Sequence, residues 1–285
     1  MNGSSTPRNG RGKLLIFWDY DTQWGGDRSR SAGGPKSWGE LEFPHTDRLL
    51  ELHAEFSVPA CFAVVGAAAL PGERPYHDPA QIRRIHEAGH EVGSHSHRHE
   101  WLPGLNGVEL RETLRSSKES LQQCIGAPVT AFVPPWNQPF DFSKRLSFSL
   151  TERRHGGAER TNVRRLCASL REIGYRFCRI AYRPIHERLK DRFFGRLDPP
   201  RRMESIEGIT CVRVNGFGFR KPALDLVQRC VASGGIAVTY GHPHSLKSGG
   251  AQDERYLVPF LQVVRDYQRQ GRLDVVLPRD LDGPS

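Results

Sequence analysis

The chain has 285 residues, of which 37% are hydrophobic, 26% charged and 9% aromatic, a balance that excludes a disordered chain and allows one large core. Its longest near-apolar run, Val58 to Leu70, falls short of the ~20 residues of a membrane-spanning helix. The formal net charge of +9 is carried by one stretch: residues 139–220 hold 19 Lys/Arg against 9 Asp/Glu, and the rest of the chain is close to neutral.

In chain order, residues 1–13 (MNGSSTPRNGRGK) read as a flexible tail. They lack the apolar core of a secretory signal, so the expected location is the cytoplasm. Residues 14–285 read as one domain. Leu14–Trp18 is a continuous apolar run that predicts a buried strand, followed by a Gly- and Arg-rich loop over Gly25–Gly39. Helical spacing over Thr46–Phe56 and a strand over Val58–Val65 come next. Pro79–Ala88 is a helix with Pro in its first turn, and His90–Ser94 a short strand. Asn106 and Glu109 form a capping-box pattern for a helix that runs to Cys124 and stops at Gly126. Thr130–Val133 is a strand ended by Pro134-Pro135.

The basic stretch then reads as an insertion or lid over about residues 139–208, with a helix over Asn162–Glu172, extended chain over Phe177–Ile180 and irregular structure from Arg183 to Gly208. Ile209–Val214 (strand), Pro222–Ala232 (helix), Ile236–Tyr240 (strand), Glu254–Gln270 (helix) and Leu273–Leu277 (strand) complete the chain. Apolar strands alternating with helices predict a parallel α/β arrangement. Six irregularly spaced cysteines without C-x-x-C predict free buried thiols rather than disulfides or a thiolate zinc site. The basic stretch suits an anionic partner. No nucleic-acid motif accompanies it, so a phosphorylated small substrate is the expected form, with peripheral membrane contact left open.

Four polar clusters each follow a predicted strand: Asp19-Tyr20-Asp21, His95-Ser96-His97-Arg98-His99, Pro134-Pro135-Trp136-Asn137 and Gly241-His242-Pro243-His244. In a parallel barrel such strand ends share one face, where active sites are built. Period two puts Asp19 and Asp21 on one side, suiting one as a metal ligand and the other as a base. His95 and His99 have the spacing of one face of a helical turn. With a carboxylate they make an open site for a divalent first-row metal, most often zinc. The Pro-Pro step can aim a backbone N–H such as that of Trp136 at an oxyanion. His242 can give a proton to a leaving group, with His244 as its rival, and Trp24 and Trp136 can stack on sugar rings.

One alternative is a haloacid-dehalogenase-like phosphatase. Asp19-Tyr20-Asp21-Thr22 fits its D-x-D-x-T loop, which wants Mg²⁺ and a later acidic pair such as Asp280/Asp282.

Together these residues resemble the polysaccharide deacetylases, the NodB-homology group or carbohydrate esterase family 4. The resemblance runs from about Leu14 to Val133 and resumes at Ile236–His242. Asp19-Tyr20-Asp21 looks like the first family motif, His95-Ser96-His97-Arg98-His99 meets H-[ST]-x-x-H, and Phe132-Val133-Pro134-Pro135-Trp136 approximates the third motif. The resemblance implies an irregular (β/α) barrel, expected with seven strands, and a metal held by Asp21, His95 and His99. Zn²⁺ would be the first choice, with Co²⁺, Ni²⁺ or Mn²⁺ as alternatives. It further implies Asp19 as base, His242 as acid, and removal of an N-acyl group from an amino sugar; the basic stretch adds a phosphate-linked sugar as one form of substrate. Pro135, Trp136, Asn137, Trp24 and His244 would contact substrate. Val133 stands where many members carry an arginine that orients the aspartate base, which keeps a carbohydrate-binding pseudo-deacetylase as a further alternative.

Overall fold

Alternation along the first strand decides the architecture. β1 (Gly12–Tyr20) sends Leu14, Ile16, Trp18 and Tyr20 to one apolar cluster and Leu15 and Phe17 to another. Both faces of the strand are buried, which is why its sequence reads as an unbroken apolar run. The computed structural model describes residues 11–29, 37–140, 160–182 and 203–281 and shows the two clusters as the two sides of one curled sheet. The larger cluster lies under the helices. The smaller fills the barrel interior with Leu15, Phe17, Ala63, Val133, Phe177 and Val238 from four strands and the residue after a fifth.

Seven parallel strands form the body in the order β7 (Ile209–Arg213), β5 (Phe177–Ile180), β4 (Ala131–Phe132), β3 (Glu91–Ser94), β2 (Cys61–Val64), β1 and β8 (Ile236–Gly241). Two short strands bring the sheet to nine among the described residues, against the seven expected. β6 (Glu204–Ile206) is an antiparallel hairpin partner of β7, turned by Glu207 and Gly208 at φ 52° and 82°. β9 (Leu273–Val275) pairs with the first residues of β1. The gap between β7 and β8 is bridged by the chain after β7, where Gly216 N–H donates to Val238 O (2.8 Å) and Gly218 N–H to Tyr240 O (2.9 Å).

The helices are α1 (Thr22–Ser29), α2 (Trp38–Phe56), α3 (Pro79–Glu87), α4 (Gly107–Ile125), α5 (Val163–Ile173), α6 (Lys221–Ser233) and α7 (Glu254–Arg269). The capping box of α4 forms as its sequence predicts, with Asn106 and Glu109 each accepting the other's backbone N–H. Three expectations are corrected. The loop read over Gly25–Gly39 contains α1 and the start of α2, because the two glycines sit inside a helix that packs tightly on Asp21; residues 30–36 lie outside the described residues. The segment read as a basic insertion is not one throughout: α5 and β5 belong to the barrel, and β5 is an internal strand whose hydrophobic residues were diluted by arginines in the sequence. The stretch read as irregular up to Gly208 includes β6, while residues 141–159 and 183–202 lie outside the described residues. No described helix is long and apolar enough to cross a membrane.

Under the barrel, Trp18 Nε1 donates to His53 Nε2 (2.8 Å), and His53 Nδ1–H donates to Val58 O (2.6 Å). Both ring nitrogens are thus satisfied only in neutral imidazole. Burial pushes His53 down to about 3 and the adjacent His90 to about 4. The unfolded chain therefore binds protons below pH ~6.5 that the folded chain refuses, and stability falls as pH drops from there toward 4. A His53→Gln variant keeps an acceptor for Trp18 without the titration. Urea unfolding at pH 7 and pH 4.5 should show a smaller loss for the variant than for the wild type, by about 2 kcal/mol.

Candidate active site

The period-two pattern that fills the barrel interior also places the first catalytic candidate. After Leu15 and Phe17, the next inward residue of β1 is Asp19; after Phe177, the next on β5 is Arg179; after Val238, the next on β8 is Tyr240. These polar groups form the layer above the apolar filling. Arg179 Nη1 and Nη2 donate to Asp19 Oδ1 and Oδ2 at 2.8 and 2.6 Å, with the arginine side chain fully buried. Its guanidinium carbon lies 4.4 Å from the Tyr240 ring centroid, and Nη2 also reaches Asn137 Oδ1 at 3.2 Å. Burial would raise the Asp19 pKa, but the charge and hydrogen bonds of Arg179, together with the nearby histidines, outweigh it and hold the carboxyl ionised below its usual range. The arginine missing at Val133 is therefore supplied from the neighbouring strand, while Val133 joins the apolar filling. The reason for the impaired-enzyme alternative disappears with it. The signal was present in Phe177-Cys178-Arg179-Ile180: an arginine two residues after an inward phenylalanine, inside a strand, must face the interior.

Asp21 follows β1 directly and starts the turn into α1. Gly25 is required there, since a Cβ would stand 2.5 Å from that of Asp21. Among the described residues, Asp21, His95 and His99 are brought together with one ligand atom each, all within 4.8 Å of one another and all buried. Asp21 Oδ1 is 3.3 Å from His95 Nε2 and 3.6 Å from His99 Nε2, yet accepts no hydrogen bond. His95 Nδ1–H donates to Val133 O (2.7 Å), which in the neutral ring leaves Nε2 as a lone pair. Burial pushes His99 down to about 4, so its ring is neutral near pH 7. Burial opposes the charge on Asp21, but His99 and His95 overcome it and keep the carboxyl well below its usual range. An anionic oxygen and two imidazole Nε2 atoms converging on one point fit a divalent cation, whose charge would replace the proton that Asp21 otherwise favours on His95.

The route to this convergence differs from the expected helical turn. His95 and His99 lie in a loop after β3, and Ser96 and His99 take positive φ (63° and 56°). Gly66 N–H and Ala67 N–H hold the carbonyls of Ser96 and His97 (2.9 and 2.8 Å), and Ser117 Oγ donates to Ser96 O (2.9 Å). Of seven positive-φ non-glycine residues among the described residues, five line this site: Thr22, Ser96, His99, Trp136 and Asn137. Strain gathered in one place marks a functional site.

The remaining candidates fall into place around the two pairs. His242 follows β8 and has Nδ1 3.0 Å from Gln252 Oε1. His244 is buried, stacked on Trp38 at 4.4 Å, with Nδ1 3.3 Å from Glu42 Oε2; burial pushes it down to about 4. Burial, reinforced by the charge of Asp21, holds the Glu42 carboxyl well above its usual range. Pro135 is buried and begins a short turn in which the Trp136 ring packs 4.2 Å from His99 and 5.5 Å from Trp101. Asn137 accepts from Arg179 Nη2 and donates to Tyr240 Oη (3.3 Å), so it braces Asp19 through the arginine. Trp24 packs edge-on against Tyr76 (5.2 Å) in α1. Sequence reading missed Arg179, Tyr240, Glu42 and Gln252. The last two sit on α2 and before α7, and no local pattern joins them to the strand ends.

The phosphatase alternative fails on geometry. Asp19 is clamped by Arg179 and Asp21 faces two imidazoles. Asp280 accepts from Leu277 N–H and lies beside Glu91, the first residue of β3, at the opposite end of the barrel. Asp282 lies outside the described residues.

The parallel barrel brings an Asp-His-His cluster and a buried Asp-Arg pair together at its strand ends, the face on which barrel active sites are built. Comparison with known proteins adds to the geometry. Residues 40–144 match the family model for polysaccharide deacetylase. A stretch of 98 residues is 31% identical to the peptidoglycan deacetylase of Helicobacter pylori (strain ATCC 700392 / 26695), covering 34% of this chain and 30% of that protein. The crystal structure of a polysaccharide deacetylase homologue from Mycobacterium smegmatis superposes with TM-score 0.55 at 17% identity, over 99% of this chain and 97% of that one. Over residues 40–144 the chain is thus similar to the polysaccharide deacetylases, and its barrel fold is of the NodB type.

Because Arg179 neutralises a buried carboxylate, Arg179→Met should cost about 3–5 kcal/mol in denaturant unfolding at pH 7. Adding Asp19→Asn to Arg179→Met should recover most of that loss; equal stability of the single and double variants would show that the pair is not coupled.

Proposed function

We propose that the protein is a divalent-metal-dependent deacetylase that hydrolyses an N-acyl group, N-acetyl first, from an amino sugar. The observation that carries the reading is the convergence of Asp21 Oδ1 with His95 Nε2 and His99 Nε2 beside the arginine-held Asp19. The family match over residues 40–144 supports the carbohydrate amide as the bond cleaved. Zn²⁺ suits a donor set of two imidazoles and one carboxylate that leaves a position for water, and Co²⁺, Ni²⁺ and Mn²⁺ accept the same donors.

The bound cation would act as a Lewis acid toward the acyl carbonyl and raise the acidity of water. The protein's own groups do the rest. Asp19 accepts the proton of the attacking water on lone pairs that Arg179 leaves free, its orientation fixed by the two-point contact. The backbone N–H of Trp136 donates to the developing oxyanion, aimed by the Pro134-Pro135 step and the left-handed Trp136 backbone. His242 protonates the departing amine, which is too basic to leave otherwise. Trp24 and Trp136 offer faces to the sugar, and His244 borders the same space. The excess of basic residues over 139–220 favours a phosphate-linked sugar of glycan or secondary-metabolite assembly.

Wild-type protein should purify with about one divalent metal per chain and release acetate from N-acetylglucosamine oligomers or a nucleotide-linked N-acetyl sugar. His95→Ala/His99→Ala should lose both metal and activity. Asp19→Asn should keep the metal and lose activity by about 10²-fold or more. Metal analysis and acetate release check this; a metal-free double variant with full activity would overturn it.

A further inference from the structure

His242 is held by one side chain from a distant part of the chain. Gln252 Oε1 accepts from the His242 backbone N–H and lies 3.0 Å from its Nδ1. A backbone N–H only donates, so the amide atom facing it must be the oxygen, and the usual doubt over amide orientation does not arise. The same oxygen can only accept from the ring, so Nδ1 carries a proton and, in neutral His242, Nε2 is the lone pair. Gln252 is itself nearly buried and fixed by its surroundings. Ala251 O accepts from Phe219 N–H (2.8 Å), and Glu254 N–H donates to Leu246 O (2.7 Å), closing the turn on both sides. Two glycines permit the approach. A Cβ on Gly218, at φ 61°, would stand 2.4 Å from Ala251 O, and one on Gly241 would stand 3.2 Å from Gln252 Oε1.

We propose that Gln252 is the positioning residue for His242: it fixes the ring's tautomer and aim while adding no charge of its own. The assignment rests on the deacetylase reading for its catalytic meaning, but not for its physical content. The Tyr240 and His244 rings lie 5.8 and 5.2 Å from that of His242. The amide anchors Nδ1–H and leaves Nε2 as the atom that hands a proton to the amine.

The test uses full-length protein labelled with ¹⁵N-histidine, with the His242 signals assigned by their loss in His242→Gln. Neutral wild-type His242 should show the Nδ1–H tautomer alone. Gln252→Leu should yield a mixture of tautomers and lower kcat for acetate release about tenfold or more, with KM nearly unchanged. Gln252→Glu keeps an acceptor for Nδ1–H and should keep that tautomer. A wild-type Nε2–H tautomer would overturn the proposal without any variant having to fold. So would a Gln252→Leu protein whose tautomer and kcat are both unchanged. If no acyl substrate is turned over by the wild type, the deacetylase reading fails while the resonance data still decide the hold of Gln252 on His242.

Discussion

One buried ion pair organises the upper half of this barrel. Asp19 and Arg179 meet inside the lumen from strands that lie four apart in the sheet, each with nearly its whole side chain out of water. Such a pair is tolerable only if both charges are satisfied. The geometry meets most of that condition, with two parallel N–H···O contacts between the partners, a third from Arg179 to Asn137 and the Tyr240 ring against the guanidinium; Arg179 Nε alone has no hydrogen-bond partner. Through Asn137 the pair also ties down the Pro134–Asn137 turn, and with it the Trp136 ring that packs on His99. Asp19, the turn and the Asp21-His95-His99 cluster are thus mechanically one unit.

The second constraint is local strain. Five residues with positive φ are concentrated where β1, β3 and β4 hand over to their loops. Each is held by contacts from outside its own loop, such as the bonds of Gly66, Ala67 and Ser117 to the Ser96–His97 carbonyls. A helix would have delivered His95 and His99 with less strain. The loop instead brings both Nε2 atoms to Asp21 while freeing His95 Nδ1 for Val133 O, a contact that fixes the tautomer a metal ligand needs.

Much of this was legible in the amino-acid order. Leu14–Trp18 and Ile236–Tyr240 announced buried strands because both of their faces are covered, and polar clusters after successive strands announced a common mouth. The convergence of Asp21, His95 and His99 followed from those clusters, although the helical turn assumed for the two histidines was wrong. Arg179 was hidden because β5 lies in an arginine-rich stretch whose charge suggested a solvated insertion. Only its phase relative to Phe177 distinguishes a lumen arginine from a surface one. Glu42 and Gln252 were illegible for another reason: each reaches the site from a helix or turn far along the chain, and tertiary packing alone brings them there.

The central claim is that Asp21, His95 and His99 together bind a divalent cation. Anomalous diffraction at the zinc edge from crystals grown with zinc tests it directly. The account predicts one dominant peak about 2.0–2.2 Å from one Asp21 oxygen and from Nε2 of both histidines. A crystal in which zinc binds elsewhere, with these three side chains turned apart, would contradict it.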